Sequence, residues 1–389
     1  MKRVLIITSN FPRWEGDPHS PWLLALMARL QARGYTFEVM APAFRGQGAH
    51  YIGAVPVHRF RYAPAAWEIL THEDGAPNKL ARQPWLLLLL PGYMLSGLLL
   101  AWRLGGSGHF DVIHVHWPLP QGLFGLLARW RSRARLVTTL YGSGLVLARR
   151  FPGLNRFLRF FARRCDAVAA ISDFTARQVQ AVADVTPAVI PYGVAVPPLQ
   201  TYPSVPGRIL VVGRLIPRKG HSYLLRALAR LHDVPDAHLV VVGEGQERPG
   251  LERLCAELGL QQRVQFTGRV PDAELQQLYQ SCQIFVLPAI VDDRGDTEML
   301  GMVVPEAMRY GKPVIVTDVG GLVDTVVAGE SGLVVPQMDV EALAAALRAL
   351  LLDADLAERL GRAGYEAVRA KFSWSAVLAA VQALYGGEG

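Results

Sequence analysis

The 389-residue sequence predicts an α/β fold: two Rossmann-like, doubly wound parallel-sheet domains facing a central cleft. Three observations lead there. Short continuous runs of Val, Ile and Leu recur along the whole chain, as in parallel strands covered on both faces. Segments of helical period separate these runs, the alternation that builds doubly wound sheets. The order of elements then restarts after residues 194–206, a stretch with Pro197, Pro198, Pro203 and Pro206 and no periodicity, which reads as a linker.

Met1-Lys2-Arg3 precedes the apolar run Val4–Ile7 and the polar Thr8-Ser9-Asn10. The run is too short for a signal-peptide core and reads as part of a first buried strand, Val4–Thr8. Further strands are expected at Thr36–Met40, Asp111–Val115, Arg135–Leu140 and Ala167–Ile171. In the second half they are expected at Ile209–Val212, His238–Val242, Val264–Phe266, Ile284–Leu287, Val314–Thr317 and Leu333–Val335. The expected organisation is an N-terminal domain over 1–196, a linker over 197–206 and a C-terminal domain over 207–370. Residues 371–389 then form a helix packing back on the N-terminal domain.

Composition narrows the function classes. Residues 1–196 carry 22 Lys or Arg against 10 Asp or Glu, whereas residues 197–389 carry 18 against 23. A basic first half meets an anionic surface. No helix-turn-helix, zinc or RNA-binding signature accompanies it, so nucleic acid is not an expected partner. Cys165, Cys255 and Cys282 are widely spaced and odd in number. They provide neither a disulfide framework nor a zinc site, and the expected location is the cytoplasm.

In doubly wound sheets ligands sit beyond the carboxyl ends of the strands, so the residues after each strand carry the chemistry. Gly213-Arg214-Leu215-Ile216-Pro217-Arg218-Lys219-Gly220 follows a strand and opens a helix. The planar fork of Arg214 can reach two phosphate oxygens, and Lys219 adds a compact charge. Glu298 lies before the glycine turn at Gly301, and Glu306 lies in the first turn of the next helix. Pro305 costs that turn little, and Gly311-Lys312-Pro313 ends the helix. Gly301, Met302 and Val303 can present amide N–H groups to an anion. Hydroxyls for the carboxylates and anionic oxygens for the amides suit a sugar joined to a phosphate.

These segments resemble those of the retaining glycosyltransferases of family 4, which have the GT-B fold. The resemblance covers almost the whole chain. It is strongest in Gly213-Arg214 through Lys219-Gly220, in Glu298 through Met308, and in Gly311 through Gly320-Gly321. It implies that Glu298 lies against the donor sugar hydroxyls, that Glu306 binds the nucleotide ribose, and that Arg214 and Lys219 hold the diphosphate. Backbone around Gly268, Arg269 and Val270 would frame the base. The implied enzyme is a hexosyltransferase needing no metal or other cofactor. It takes a nucleotide-sugar donor and a glycan, lipid-linked or small-molecule acceptor hydroxyl, in cell-envelope polysaccharide or glycolipid synthesis. The family's loop after the first strand is represented by Asn10–Asp17 with one glycine, Gly16. Its His-Gly-Ser-Asp-like segment is here Tyr141-Gly142-Ser143-Gly144, so that Tyr141 stands where the family has histidine. Two other readings are a nucleotide-sugar epimerase on the same fold and a non-catalytic donor-binding subunit.

His114 and His116 share one face of a strand end, and the later one, His116, is expected on the acceptor or sugar side. The acidic loop Asp292-Asp293-Arg294-Gly295-Asp296 lacks regular ligand spacing and reads as solvated. Gln83–Trp102 is twenty residues without a charge, bracketed by Arg82 and Arg103. That length meets the rule for a membrane span, but a span would separate strands of one sheet, so an interfacial or buried helix is expected. Leu154–Arg164 mixes Arg156, Arg159 and Arg163 with Phe160, and Arg149-Arg150 lie upstream. That pattern suits peripheral contact with an anionic membrane on its inner face.

Overall fold

A computed structural model describes residues 1–17, 20–72, 76–107, 109–293 and 295–386; the side chains of residues 77, 78, 81, 143, 149, 150 and 152 are outside this description. Arg294, Arg149 and Arg150 of the basic and acidic segments above therefore fall beyond it. The chain divides into two compact units. The first comprises Met1–Ile171, Thr175–Ile190 and the stretch from Leu378 onward; the second comprises Ser172–Phe174 and Pro191–Val377.

The first unit holds β1 (Lys2–Ile7), β2 (Tyr35–Pro42), β3 (His50–Ile52), β4 (Val55–Phe60), β5 (Val112–His116), β6 (Arg135–Leu140), β7 (Ala167–Ala170) and β8 (Ala188–Val189). Their order in the sheet is β3-β4-β2-β1-β5-β6-β7-β8. Every pairing is parallel except β3 with β4. The inner strands are buried along nearly their whole length, which is why they read as continuous apolar runs. β3, β4 and the two-residue β8 were not expected from the sequence. Pro56 and Arg59 interrupt the apolar pattern of β4, yet Arg59 is buried and donates to the carbonyls of Pro42 and Pro12.

The second unit holds β9 (Arg208–Val212), β10 (His238–Val242), β11 (Val264–Gly268), β12 (Ile284–Leu287), β13 (Val314–Thr317) and β14 (Leu333–Val335), ordered β11-β10-β9-β12-β13-β14 and parallel throughout. Its core gathers Ile209, Val211, Leu224, Leu228, Val241, Ile284, Val286 and Leu347 between sheet and helices. In both sheets the strand order reverses once: between β1 and β5, and between β9 and β12. Those reversals are the switch points where doubly wound sheets hold ligands.

The Pro-rich stretch differs from a free linker. Pro191 onward belongs to the second unit, and residues 197–206 lie bound along it. Tyr365 donates to the carbonyl of Pro197, Lys312 donates to Tyr202 O and Ser204 Oγ, and the Val205 amide donates to Ser281 O. Prolines lack donors, but their carbonyls and their neighbours remain free to anchor the stretch. The helix Trp374–Leu384 runs from the second unit into the first. Its end is held there by Lys2 Nζ on Gly386 O (2.9 Å), Arg135 Nε on Leu384 O (3.1 Å) and Tyr385 on His114.

Candidate active site

The switch point of the second sheet joins the loop after β9 to the segment after β12. Gly220 makes the closest approach: a β-carbon there would lie 1.8 Å from Pro288 O, and its φ of +67° favours glycine. The Ile290 amide donates to Arg218 O (2.8 Å), locking the two segments together. The turn Pro217–Lys219 thereby points two cations at Glu298. Lys219 Nζ lies 2.5 Å and Arg218 Nη1 2.9 Å from the same oxygen, Glu298 Oε2. Arg218 also donates to Thr297 O (3.3 Å). Glu298 Oε1 keeps no partner among the described residues.

Burial works to raise the Glu298 pKa, but Lys219 and then Arg218 outweigh it, and the carboxyl is held below its ordinary value. Glu298 is therefore an ionised acceptor at neutral pH, suited to hydroxyl groups and unsuited to giving up a proton. Its backbone is buttressed from behind. A β-carbon on Gly320 would lie 1.9 Å from Glu298 O, and the Gly321 amide donates to that oxygen (2.8 Å).

The Arg214 side chain is exposed and makes no hydrogen bond or ion pair among the described residues, while its backbone carbonyl accepts from the Ile216 amide (3.0 Å). It is the free cation of this loop, whereas Lys219 is buried and shared with Glu298. The two residues that the sequence paired thus differ in exposure and partners, and the structure adds Arg218 beside Lys219. The only sequence signal for Arg218 was its place beside Lys219.

Gly301 turns with a φ of +74° ahead of the short helix Val303–Met308. The N–H groups of Gly301, Met302 and Val303 donate to nothing among the described residues, so this turn keeps its amides open. Glu306 sits four residues into the helix, and its Oε2 accepts from Tyr279 Oη (2.8 Å). Burial raises the Glu306 pKa, partly offset by Tyr279 and Arg309. Tyr279, on the helix Asp272–Ser281, had no sequence signal. Gly268 ends β11 with a φ of +73° beside the Glu244–Arg248 pair, with Arg269 exposed and Val270 half-buried after it.

The first unit brings another group to its own switch point. His116 Nδ1 bonds Tyr141 Oη, Trp117 stacks on Tyr141 with centroids 4.3 Å apart, and Trp22 lies 5.8 Å from the His116 ring. His114, one face-position earlier, is spent on Tyr385 Oη (2.9 Å) and Thr139 Oγ1 (2.8 Å). Burial holds the His114 pKa down to about 3; burial and then His114 push His116 well below its ordinary value. Both rings are neutral. His116 Nε2 is buried with no partner among the described residues, so it can exchange a hydrogen bond but cannot serve as a cation. Gly16 closes an exposed turn at φ +82° with open space around it. Asp17 there clamps Arg13 through Nε (2.7 Å) and Nη2 (2.9 Å). Of the acidic loop, Asp296 lies 3.7 Å from Arg218, and Asp292 accepts from the Asp296 amide.

Two doubly wound units, the second with cations and carboxylates gathered at its switch point, define the GT-B class of glycosyltransferases. Comparison with known proteins agrees. Residues 22–196 match the model of glycosyltransferase family 4, and residues 203–367 match that of the group 1 glycosyl transferases. A GDP-mannose-dependent alpha-(1-6)-phosphatidylinositol monomannoside mannosyltransferase of Mycolicibacterium smegmatis is 28% identical over 95% of both chains. A phosphatidyl-myo-inositol mannosyltransferase of Mycobacterium leprae is 34% identical over 72% of this chain and 74% of its own. In fold, sucrose-phosphate synthase of Thermosynechococcus elongatus superposes with a TM-score of 0.76 at 23% identity, over 99% of this chain and 98% of its own. The chain belongs to the family 4 glycosyltransferases.

Proposed function

We propose that this glycosyltransferase moves a mannosyl or related hexosyl group from a nucleoside-diphosphate sugar to a hydroxyl of an inositol-containing or other lipid-borne acceptor, with retention and without a metal. The observation that carries the donor side is the division of labour around Glu298. Arg214 is left free for phosphate, while Lys219 and Arg218 keep Glu298 ionised for sugar hydroxyls. The names of the two mannosyltransferases support the donor and acceptor class.

In this reading the diphosphate rests on Arg214, Lys219 and the open amides of Gly301, Met302 and Val303. The ribose reaches the free oxygen of Glu306, and the base lies along Gly268, Arg269 and Val270. The bond from the anomeric carbon to the diphosphate oxygen breaks as the acceptor oxygen approaches from the same face. The acceptor proton passes to the departing phosphate oxygen, and the cations stabilise the charge growing there. His116 and Tyr141, as neutral hydrogen-bonding groups, are assigned to the sugar or acceptor. A lipid-borne acceptor brings the enzyme to the inner face of a membrane as a peripheral protein.

The test is transfer of labelled hexose from GDP-mannose, UDP-glucose and UDP-N-acetylglucosamine to phosphatidylinositol and to free inositol, with and without EDTA. Transfer from GDP-mannose that survives EDTA is expected. Donor hydrolysis alone, or loss of transfer on chelation, would overturn the corresponding part.

A further inference from the structure

We propose that the outer faces of three neighbouring helices of the first unit form a docking surface for an anionic lipid bilayer. The helices are Leu90–Gly106, with the turn Pro84–Leu89 before it, Pro118–Ser132 and Pro152–Ala162. The second packs against both of the others, so the three form one layer. Such a surface would serve the lipid-borne acceptor proposed above, on which its purpose, though none of its geometry, rests.

The first helix is built inside out for a water-facing element. Its inward side carries Gly92, Gly97, Ala101 and Gly105. A β-carbon at the glycines would lie 2.5 Å from Tyr62 O, 2.3 Å from the Phe124 ring and 2.6 Å from Ala128 O. Small residues thus let the helix approach its neighbours closely. Large apolar residues occupy the outward stripe instead: Leu88, Leu95, Leu99 and Trp102 are 80, 63, 57 and 39% exposed. Leu95, Leu99 and Trp102, four and three residues apart, share one side of the helix, and Leu88 precedes them in the turn Pro84–Leu89. Water-facing helices put polar groups there; a helix facing hydrocarbon does not need them.

The stripe continues and is framed. Leu123 and Trp130, seven apart on the next helix, are 38 and 70% exposed. Trp130 meets Trp102 at 5.4 Å, and Trp67 meets Trp85 at 6.1 Å toward the other end. Tryptophans at the edges of an apolar band suit the headgroup level of a bilayer.

Charge selects the occupant. The three helices contain no Asp or Glu. Arg103, Arg131, Arg133, Arg156 and Arg159 are exposed on or beside them. Arg131 lies 4.1 Å over the Trp102 ring, and Arg164 lies 3.6 Å over Phe160. Arg129 and Arg163 are paired with Asp166 and Asp184, but an apolar band on helices that carry arginine and no acid of their own attracts anionic headgroups and would set like charges against each other in a contact between two copies. The segment Pro84–Gly106 is long and apolar enough to cross a membrane. However, it connects β4 to β5 of one sheet, so it lies in the interface, with its outer face about 5–10 Å deep.

The test is flotation of the full chain with vesicles of phosphatidylcholine alone and of phosphatidylcholine with phosphatidylglycerol at 7:3. Wild type is expected on the anionic vesicles and much less on the neutral ones, with binding weakened in high salt. Leu95→Gln and Leu99→Gln are each expected to weaken binding about tenfold, because each removes an apolar side chain from the inserted face. Since both point outward, the urea midpoint and transfer to a water-soluble acceptor stay at wild-type values. Absence of wild-type binding, or variants that bind as wild type does, would overturn the proposal. A wild-type dimer that the substitutions dissociate would also overturn it, by giving the stripe to a second copy. Failure of the transfer reading registers separately, in the soluble-acceptor assay.

Discussion

Glu298 receives both of its cations on one oxygen, which leaves the other oxygen without a partner among the described residues. Lys219 is thus partly a device for keeping a half-buried carboxylate charged. The lowered Glu298 pKa contributes stability above the ordinary carboxylate value of 4.5, and that contribution is lost as pH falls through the folded value. Replacing Lys219 by Met leaves burial opposed by Arg218 alone, so the pKa rises. The acid limb of a stability-versus-pH curve should move to higher pH in Lys219→Met, read from urea midpoints between pH 3 and 7. An unmoved limb would show that Arg218 suffices. Arg214 differs because it is exposed and unpaired among the described residues. Arg214→Ala should lower kcat/KM about a hundredfold by removing charge stabilisation at the leaving phosphate. Its unfolding midpoint should match wild type, which separates a chemical role from a structural one.

At the scale of elements, the loops beyond β9, β12 and β13 hold Glu298 by backbone contacts that only glycine allows. Gly320 combines a φ of +57° with a β-carbon position 1.9 Å from Glu298 O. Gly320→Ala should therefore shift Glu298 as well as strain the turn. We expect a stability loss of at least about 2 kcal/mol, with a fall in kcat exceeding the loss of donor affinity. Calorimetry and donor titration would check this, and wild-type kcat would argue that the buttress is dispensable. The paired carboxylates, the basic loop and eleven strands were legible in the sequence, because each is a local pattern of spacing or period. β3, β4 and β8 were not: β3 and β8 are only three and two residues long, and Pro56 and a buried Arg59 disguise the run of β4. Tyr279 was not, because its partnership with Glu306 joins two elements 27 residues apart.

For the whole molecule, the end of the chain matters to its beginning. Tyr385 supplies the partner of buried His114, and Lys2 and Arg135 donate to the carbonyls around it. Tyr385→Phe leaves His114 Nδ1 buried and unpaired, which should cost about 1–3 kcal/mol in urea unfolding while sparing donor binding in the second unit. Equal stability would mean that the ring exchanges its bond for another. The sequence by itself determined the doubly wound class, the repeat of two sheets and the spacing of the paired carboxylates after the basic loop, because strand period and residue spacing are properties of the chain alone. Only the tertiary structure decided which cation stays free, that both strand-end histidines are neutral, and that the Pro-rich stretch is anchored. It also decided that the apolar helix turns its small residues inward. These depend on how closely neighbouring elements approach, and that distance is set by side chains remote in sequence.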